Sequence, residues 1–224
     1  MDITNRIIEL DSTLQLHNEG KWNEPLNKDL DGFTSFNDAG LETETGELLY
    51  GFIRAMKPKN VLETGSHVGV GASYMGVALK ENKNGHLDTI EFLPENHIQC
   101  EKRMEKLGLK DYVTCHYGDV ANFEPSVTYD FILLDTEPQT RFAELEKFYP
   151  YLNEGGFVFI HDLHRHMHQI PNEEHGFAWP YGKVTKFMTE MVKTDKLRPF
   201  HFPTPRGLTG FYKVNSADYK FNEK

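Results

Sequence analysis

Five carboxylates stand at or just past the ends of short β-like runs: Glu63, Glu91, Asp119, Asp135 and Asp162. A carboxylate at a buried strand end is costly unless a cation or a set of donors meets it. Their repetition argues against reading all five as solvated carboxylates at loop starts. A histidine cluster surrounds and follows the last of these acids: His161, His164, His166, His168 and His175. Imidazole takes up a proton near neutral pH, and with aspartates it ligates transition metals. The bland alternative is a solvated loop that happens to be rich in histidine. The third feature is a glycine pattern, Glu63-x-Gly65-x-x-x-Gly69-x-Gly71.

The glycine pattern discriminates between cofactors. A dinucleotide loop runs GxGxxG so that backbone amides close on a pyrophosphate at a helix N-terminus. Here His67 stands where the second glycine belongs, and an acid precedes the first glycine by two places. That arrangement suits a ligand with no phosphate and a cationic amino-acid end. S-adenosylmethionine (SAM) has those properties: its ammonium and sulfonium favour carboxylates, and its own carboxylate accepts amides. Ser66 and Ser73 offer hydroxyl donors. Glu91 lies about 20 residues beyond Gly71, the offset at which an acid grips vicinal ribose hydroxyls. NAD and SAM share the ribose, so the loop decides between them.

The elements that must hold these residues alternate. A short helix is expected near Ile3–Leu16, and an amphipathic one over Leu41–Met56, ended by Lys57-Pro58-Lys59. Strands are expected at Asn60–Thr64, Gly85–Phe92, Tyr112–Tyr117, Tyr129–Asp135 and Gly155–Asp162. Helices fall between them at Gly71–Lys80, Pro94–Leu107 and Thr140–Leu152. Strands separated by helices imply right-handed crossovers and a parallel sheet. After a helix at Lys183–Lys193, the runs Leu197–Phe202 and Leu208–Val214 are joined by a linker too short for a crossover, so they pair antiparallel. The expected fold is α/β: a doubly wound, mostly parallel, seven-stranded Rossmann-like sheet ending in an antiparallel hairpin. Residues 1–40 form an N-terminal extension and 41–224 the domain.

The 224 residues suffice for one sizeable α/β domain. A composition of 38% hydrophobic and 26% charged residues is ordinary for a globular protein, and no apolar run is long enough to span a membrane. The first residues lack a signal-peptide pattern, and the two cysteines, Cys100 and Cys115, form no CxxC pair. A cytoplasmic setting is therefore the expectation. A net charge of −10 without a Lys/Arg block argues against nucleic acid and for a small-molecule partner. A homodimer is a candidate assembly.

From about Asp38 to Asp162 the chain resembles the class I SAM-dependent methyltransferases, in particular the small O-methyltransferases of the catechol and caffeoyl-CoA type and related secondary-metabolite enzymes. The resemblance rests on Glu63–Gly71, on Glu91, and on Gly118-Asp119. It rests also on Tyr129–Asp135, on Gly155–Asp162, and on the closing Thr204-Pro205-Arg206-Gly207-Leu208-Thr209-Gly210. It implies that Glu63, Gly65, Ser66, Gly69, Gly71 and Ser73 line the methionine end. Glu91 would hold the ribose with Phe92 against the adenine, while Asp119 and the Val120 amide would address the ring edge. The helix over Leu41–Met56 would contribute to the same pocket.

At the acceptor end, catechol-type enzymes place Mg²⁺ on an aspartate ending the fourth strand and on an Asp-Asn pair ending the fifth. Asp135 and Asp162 match two of these ligands, and Leu163 stands in place of the third. Glu137 replaces the family's lysine and is a candidate oxygen ligand for Mg²⁺ or another divalent metal. Without a metal, the acceptor's proton needs a base, for which Asp162, His161 and His164 are the candidates. Phe177, Trp179 and Tyr181 are candidates for pocket or lid packing. The resemblance implies methyl transfer to a small-molecule hydroxyl. The alternatives are N-methylation, a non-catalytic SAM-binding module and, more distantly, a nicotinamide oxidoreductase. Asp135-Thr136-Glu137-Pro138 lacks the aromatic of the usual nucleic-acid methyltransferase motif.

Overall fold

The structure, a computed structural model, describes residues 2–19, 33–36, 40–137, 139–163, 187 and 190–215. It divides into two units, 1–123 and 124–224.

In the first unit, β3 (Asn60–Thr64), β4 (His86–Glu91) and β5 (Val113–Tyr117) run parallel in the order β5-β4-β3. Three helices accompany them: α2 (Thr43–Met56), α3 (Val70–Asn82) and α4 (Pro94–Lys106). Val61, Leu62, Leu87 and Ile90 are buried, as strands covered on both faces require. Helix α2 stops at Lys57, which adopts a left-handed conformation (φ 51°) ahead of Pro58. Helix α4 starts with Pro94, whose fixed φ suits a first helical position. The packing of α2 on α3 depends on Gly46, where a Cβ would fall 2.4 Å from the Tyr74 ring.

The expected first helix is shorter than its apolar pattern suggested. Helix α1 covers Ile3–Leu10 and is followed by strand β1 (Leu16–Glu19), which pairs antiparallel with β2 (Phe33–Phe36). Asp11 ends α1 by a local alternative to helix, its carboxylate accepting the amide and hydroxyl of Thr13. The same buried carboxylate accepts Arg103 Nε at 3.0 Å and Lys106 Nζ at 2.9 Å, tying the start of the chain to α4. Thr4 and Tyr74 share a 2.7 Å hydroxyl contact, and Thr4 donates to Glu47.

In the second unit, β6 (Tyr129–Leu134) and β7 (Leu152–His161) are parallel. Strand β9 (Leu208–Lys213) is antiparallel to β7, and β8 (Leu197–Phe202) antiparallel to β9. Helix α5 (Arg141–Phe148) ends in a 3₁₀ turn at Tyr149–Tyr151, so β7 begins at Leu152 rather than at Gly155. Phe131 stacks on Phe159 at 5.0 Å, and Phe200 lies over Gly210, where a Cβ would fall 2.2 Å from its ring. Burial of Phe131 and Phe159, both fully enclosed, stabilises by about 1.5–3 kcal/mol each. The closing hairpin is the one expected, and β3 to β9 belong to a mixed, mostly parallel seven-stranded sheet. Of the helix expected over Lys183–Lys193, Phe187 and 190–193 are described, and these are helical.

Candidate functional site

The strand ends of the first unit gather most of the sequence-predicted residues. The turn after β3 is left-handed at Gly65 (φ 77°), His67 (φ 48°) and Gly69 (φ 84°). His67 thus departs from glycine while keeping a conformation that glycine adopts most readily. The amides of Gly65 and Ser66 donate to the Ile90 carbonyl at 2.9 and 3.1 Å, stitching the end of β3 to that of β4. Glu91 then reaches across the turn: Oε2 accepts the His67 amide at 2.7 Å and Oε1 the Leu93 amide at 2.9 Å.

Glu63 is 2% exposed and lies opposite Thr89 in the sheet register. Its Oε2 accepts the Thr89 hydroxyl at 2.5 Å. Its Oε1 lies 2.2 Å from where a Cβ on Gly71 would sit, so the first turn of α3 closes over the carboxylate only with glycine there. The positive end of the α3 dipole meets this negative charge. Gly69 is also closely held, a Cβ there falling 2.8 Å from Cys100 Sγ.

Ser73 lies in the first turn of α3. It is fully buried, and its hydroxyl donates to the Gly69 carbonyl at 2.6 Å, within its own helix. Ser66 is buried in the turn. Phe92 is 59% exposed, an open ring at the end of β4. The Gly118 amide donates to the Glu91 carbonyl, and the exposed Asp119 caps the 3₁₀ turn Val120–Asn122 by accepting the Ala121 amide at 2.8 Å. Tyr117, 61% exposed and 5.6 Å from the His97 ring, is a second open aromatic that sequence reasoning missed.

The second unit gathers a charged cluster at the ends of β6 and β7. Asp135, His161 and Asp162 bring one ligand atom each within 4.8 Å of one another. His161 is 1% exposed, and its Nδ1 lies 2.8 Å from Asp135 Oδ1. An ionised carboxylate only accepts, so Nδ1 carries the proton. Nε2 is 3.7 Å from Asp162 Oδ1. Asp162 itself is left-handed (φ 56°), an uncommon state for a residue other than glycine that costs on the order of 1–3 kcal/mol.

Two arginines enter this cluster that the sequence reading gave no role. Arg141 opens α5 and is 4% exposed. Its Nη2 donates to Asp135 Oδ1 at 3.1 Å and Asp162 Oδ2 at 3.0 Å, its Nε to the Thr136 carbonyl at 2.7 Å, and its Nη1 to the His161 carbonyl. Arg206, in the turn before β9, donates from Nη2 to Asp162 Oδ2 at 2.8 Å and places Nε 2.7 Å from Oδ1. Burial pushes the Asp162 carboxyl up, but His161, Arg206 and Arg141 outweigh it and hold the group well below the usual carboxylate range. The signals were slight: Arg141 follows the Asp135 loop at a helix start, and Arg206 lies inside the closing Thr-Pro-Arg-Gly run.

These residues, as arranged, do not fit a divalent cation. Asp135 Oδ1 and both oxygens of Asp162 already meet positively charged or protonated nitrogens. The two carboxylates are matched by two guanidiniums, leaving no net negative charge for a dication. Leu163 supplies no side-chain ligand: it is buried, with its amide directed at the Gly207 carbonyl and its own carbonyl accepting the Thr209 hydroxyl. Glu137 is exposed and outside the gathered group. The candidate base His164, with His166, His168, His175, Phe177, Trp179 and Tyr181, lies outside the described residues.

Comparison with known proteins finds likeness to methyltransferases. The family described as "Methyltransferase domain" matches residues 62–163. A catechol O-methyltransferase of Niastella koreensis is 28% identical over 107 residues, covering 44% of this chain and 48% of that protein. The chain thus matches about half the length of that curated relative. Among solved structures, a methyltransferase of Podospora anserina bound to S-adenosylhomocysteine (SAH) aligns with a TM-score of 0.65 at 16% identity, over 96% of this chain and 89% of that one. An O-methyltransferase of Streptomyces achromogenes involved in tomaymycin synthesis, in complex with SAM, aligns with a TM-score of 0.66 at 17% identity, over 80% and 84%. An O-methyltransferase of Bacillus cereus in complex with SAH gives 0.65 at 17%, over 79% and 84%. The fold is that of these methyltransferases. Among the described residues no helix is long and apolar enough to cross a membrane.

Proposed function

We propose that this protein, whose residues 62–163 match the family described as "Methyltransferase domain", transfers the methyl group of SAM to a small-molecule acceptor, most directly a hydroxyl oxygen. The observation that carries the reading is the buried Glu63 carboxylate closed over by Gly71, beside a turn clasped by Glu91. Two carboxylates at that turn repel a pyrophosphate and favour a ligand with a cationic amino-acid end and a ribose. In this reading 41–224 is the catalytic domain. Glu63, Gly65, Ser66, Gly69 and Gly71 hold the methionine end, Glu91 the ribose, and Phe92, Gly118, Asp119 and Val120 the adenine.

Bound SAM supplies an electrophilic methyl: an acceptor oxygen lone pair forms the C–O bond while the C–S bond breaks, its electron pair remaining on sulfur in SAH. The protein supplies position and a proton acceptor. Asp135 fixes the Nδ1–H tautomer of His161, which leaves Nε2 as the basic nitrogen. Asp162, locked by two arginines, is the carboxylate that orients the acceptor hydroxyl and stabilises the imidazolium formed on proton uptake. Assay of tritiated methyl transfer from SAM to a panel of catechols, phenols, aliphatic alcohols and amines tests the proposal. Labelled product from hydroxyl acceptors is expected, whereas transfer to amines alone overturns the oxygen assignment.

A further inference from the structure

We propose that Arg141 stands in for a metal ion: its guanidinium is the fixed cation between Asp135 and Asp162, and this cluster works without a divalent ion. The inference rests on the methyl-transfer reading for its purpose, but not for its geometry. Arg141 is buried, and one nitrogen, Nη2, reaches both carboxylates at 3.1 and 3.0 Å. A cation shared by the two aspartates would have to take that bridging position. The remaining nitrogens are fixed on the carbonyls of Thr136 and His161, so the group is anchored to the backbone rather than draped over the acids. Planar guanidinium geometry suits such a fork, and its charge persists at every working pH.

Arg206 strengthens the exclusion by meeting the other side of Asp162. Leu163 removes a further ligand position from the same strand end. Three independent departures thus act in one direction: two guanidiniums neutralise the acids, and an apolar side chain replaces a donor. Arg141 is here a positioning residue. It holds Asp135 where it receives His161 Nδ1–H, and holds Asp162 in its left-handed conformation beside the imidazole.

The test is Mn²⁺ binding by electron paramagnetic resonance on the full-length protein, with SAH binding measured by calorimetry on the same samples. Wild type and Arg141→Lys, which keeps the positive charge, are expected to leave the free Mn²⁺ spectrum unchanged. Arg141→Gln uncovers the two carboxylates beside His161 and is expected to gain Mn²⁺ affinity at least about tenfold, a gain abolished by adding Asp162→Asn. A merely structural role for Arg141 predicts no such gain. Should Arg141→Gln fail to fold, wild type and Arg141→Lys decide the matter, with silent Mn²⁺ spectra supporting the proposal. One Mn²⁺ bound per wild-type chain and lost in Asp162→Asn overturns it, as does a folded Arg141→Gln that binds no more Mn²⁺ than wild type. Absence of SAH binding would count against the methyl-transfer reading alone, since the Mn²⁺ result is read without SAM.

Discussion

Glu63 Oε1 lies 2.2 Å from the point at which a Cβ on Gly71 would sit, so the start of α3 and the end of β3 share one space that a methyl group cannot enter. Ordinarily glycine to alanine inside a helix stabilises by about 1 kcal/mol. Here overpacking against a buried carboxylate, about 1–3 kcal/mol, opposes that gain. Gly71→Ala is therefore expected to be neutral to destabilising by up to about 2 kcal/mol in urea unfolding. It should weaken SAH binding about tenfold or more in calorimetry, because Glu63 or the α3 turn has to shift.

Asp162→Asn tests the acid without disturbing the backbone, since asparagine tolerates the left-handed conformation found there (φ 56°). Methyl transfer should fall by about 10²–10⁴-fold, because the neutral amide no longer stabilises the imidazolium formed when His161 acts as general base. SAH affinity should remain within about twofold. His161→Gln, which keeps a donor but no titratable nitrogen, should show the same separation between turnover and SAH binding.

Asp11 connects stability to pH. Burial raises its carboxyl, but hydrogen bonds from Thr13, Lys106 and Arg103 outweigh that and leave it below the ordinary carboxylate range. A depressed acid stabilises the fold fully above its unfolded value of about 3.9, and loses that contribution as pH falls through its folded value. Urea unfolding should therefore show a steepening loss of stability below about pH 4. Asp11→Asn should lose about 3 kcal/mol at pH 7, because it strands the buried Arg103. Its stability should then fall less steeply below pH 4 than that of wild type.

Tyr74 offers a smaller check on the N-terminal segment. Its ring is fully buried and its hydroxyl meets that of Thr4 at 2.7 Å. Tyr74→Phe leaves Thr4 still bonded to Glu47, so a loss of about 1 kcal/mol is expected in thermal unfolding. A loss several-fold larger would mean that the ring itself has moved.

The sequence made the central elements legible because they are apolar runs bounded by breakers. Asn60–Thr64 is a strand at those same bounds, and Tyr129–Leu134 differs from expectation by its final aspartate alone. Leu14 illustrates the limit: its spacing continues the stripe of Ile3, Ile7 and Leu10, yet Asp11 and Thr13 end the helix through side-chain bonds that periodicity does not encode. At the candidate site, the acids could be found because carboxylates at strand ends are conspicuous. Arg141 and Arg206 were not, because an arginine early in a helix or in a Pro-Gly turn reads as a solvated charge. Only the fold brings residue 141 between residues 135 and 162. The bond from the Ser73 hydroxyl back to the Gly69 carbonyl is likewise not encoded in the loop's spacing.

Isothermal titration of the full-length protein with SAH, and separately with NADH, tests the central claim most directly. The account predicts one SAH bound per chain, an affinity reduced at least about tenfold (1.4 kcal/mol) in Glu91→Ala, and no heat from NADH. Binding of NADH with none of SAH would contradict it.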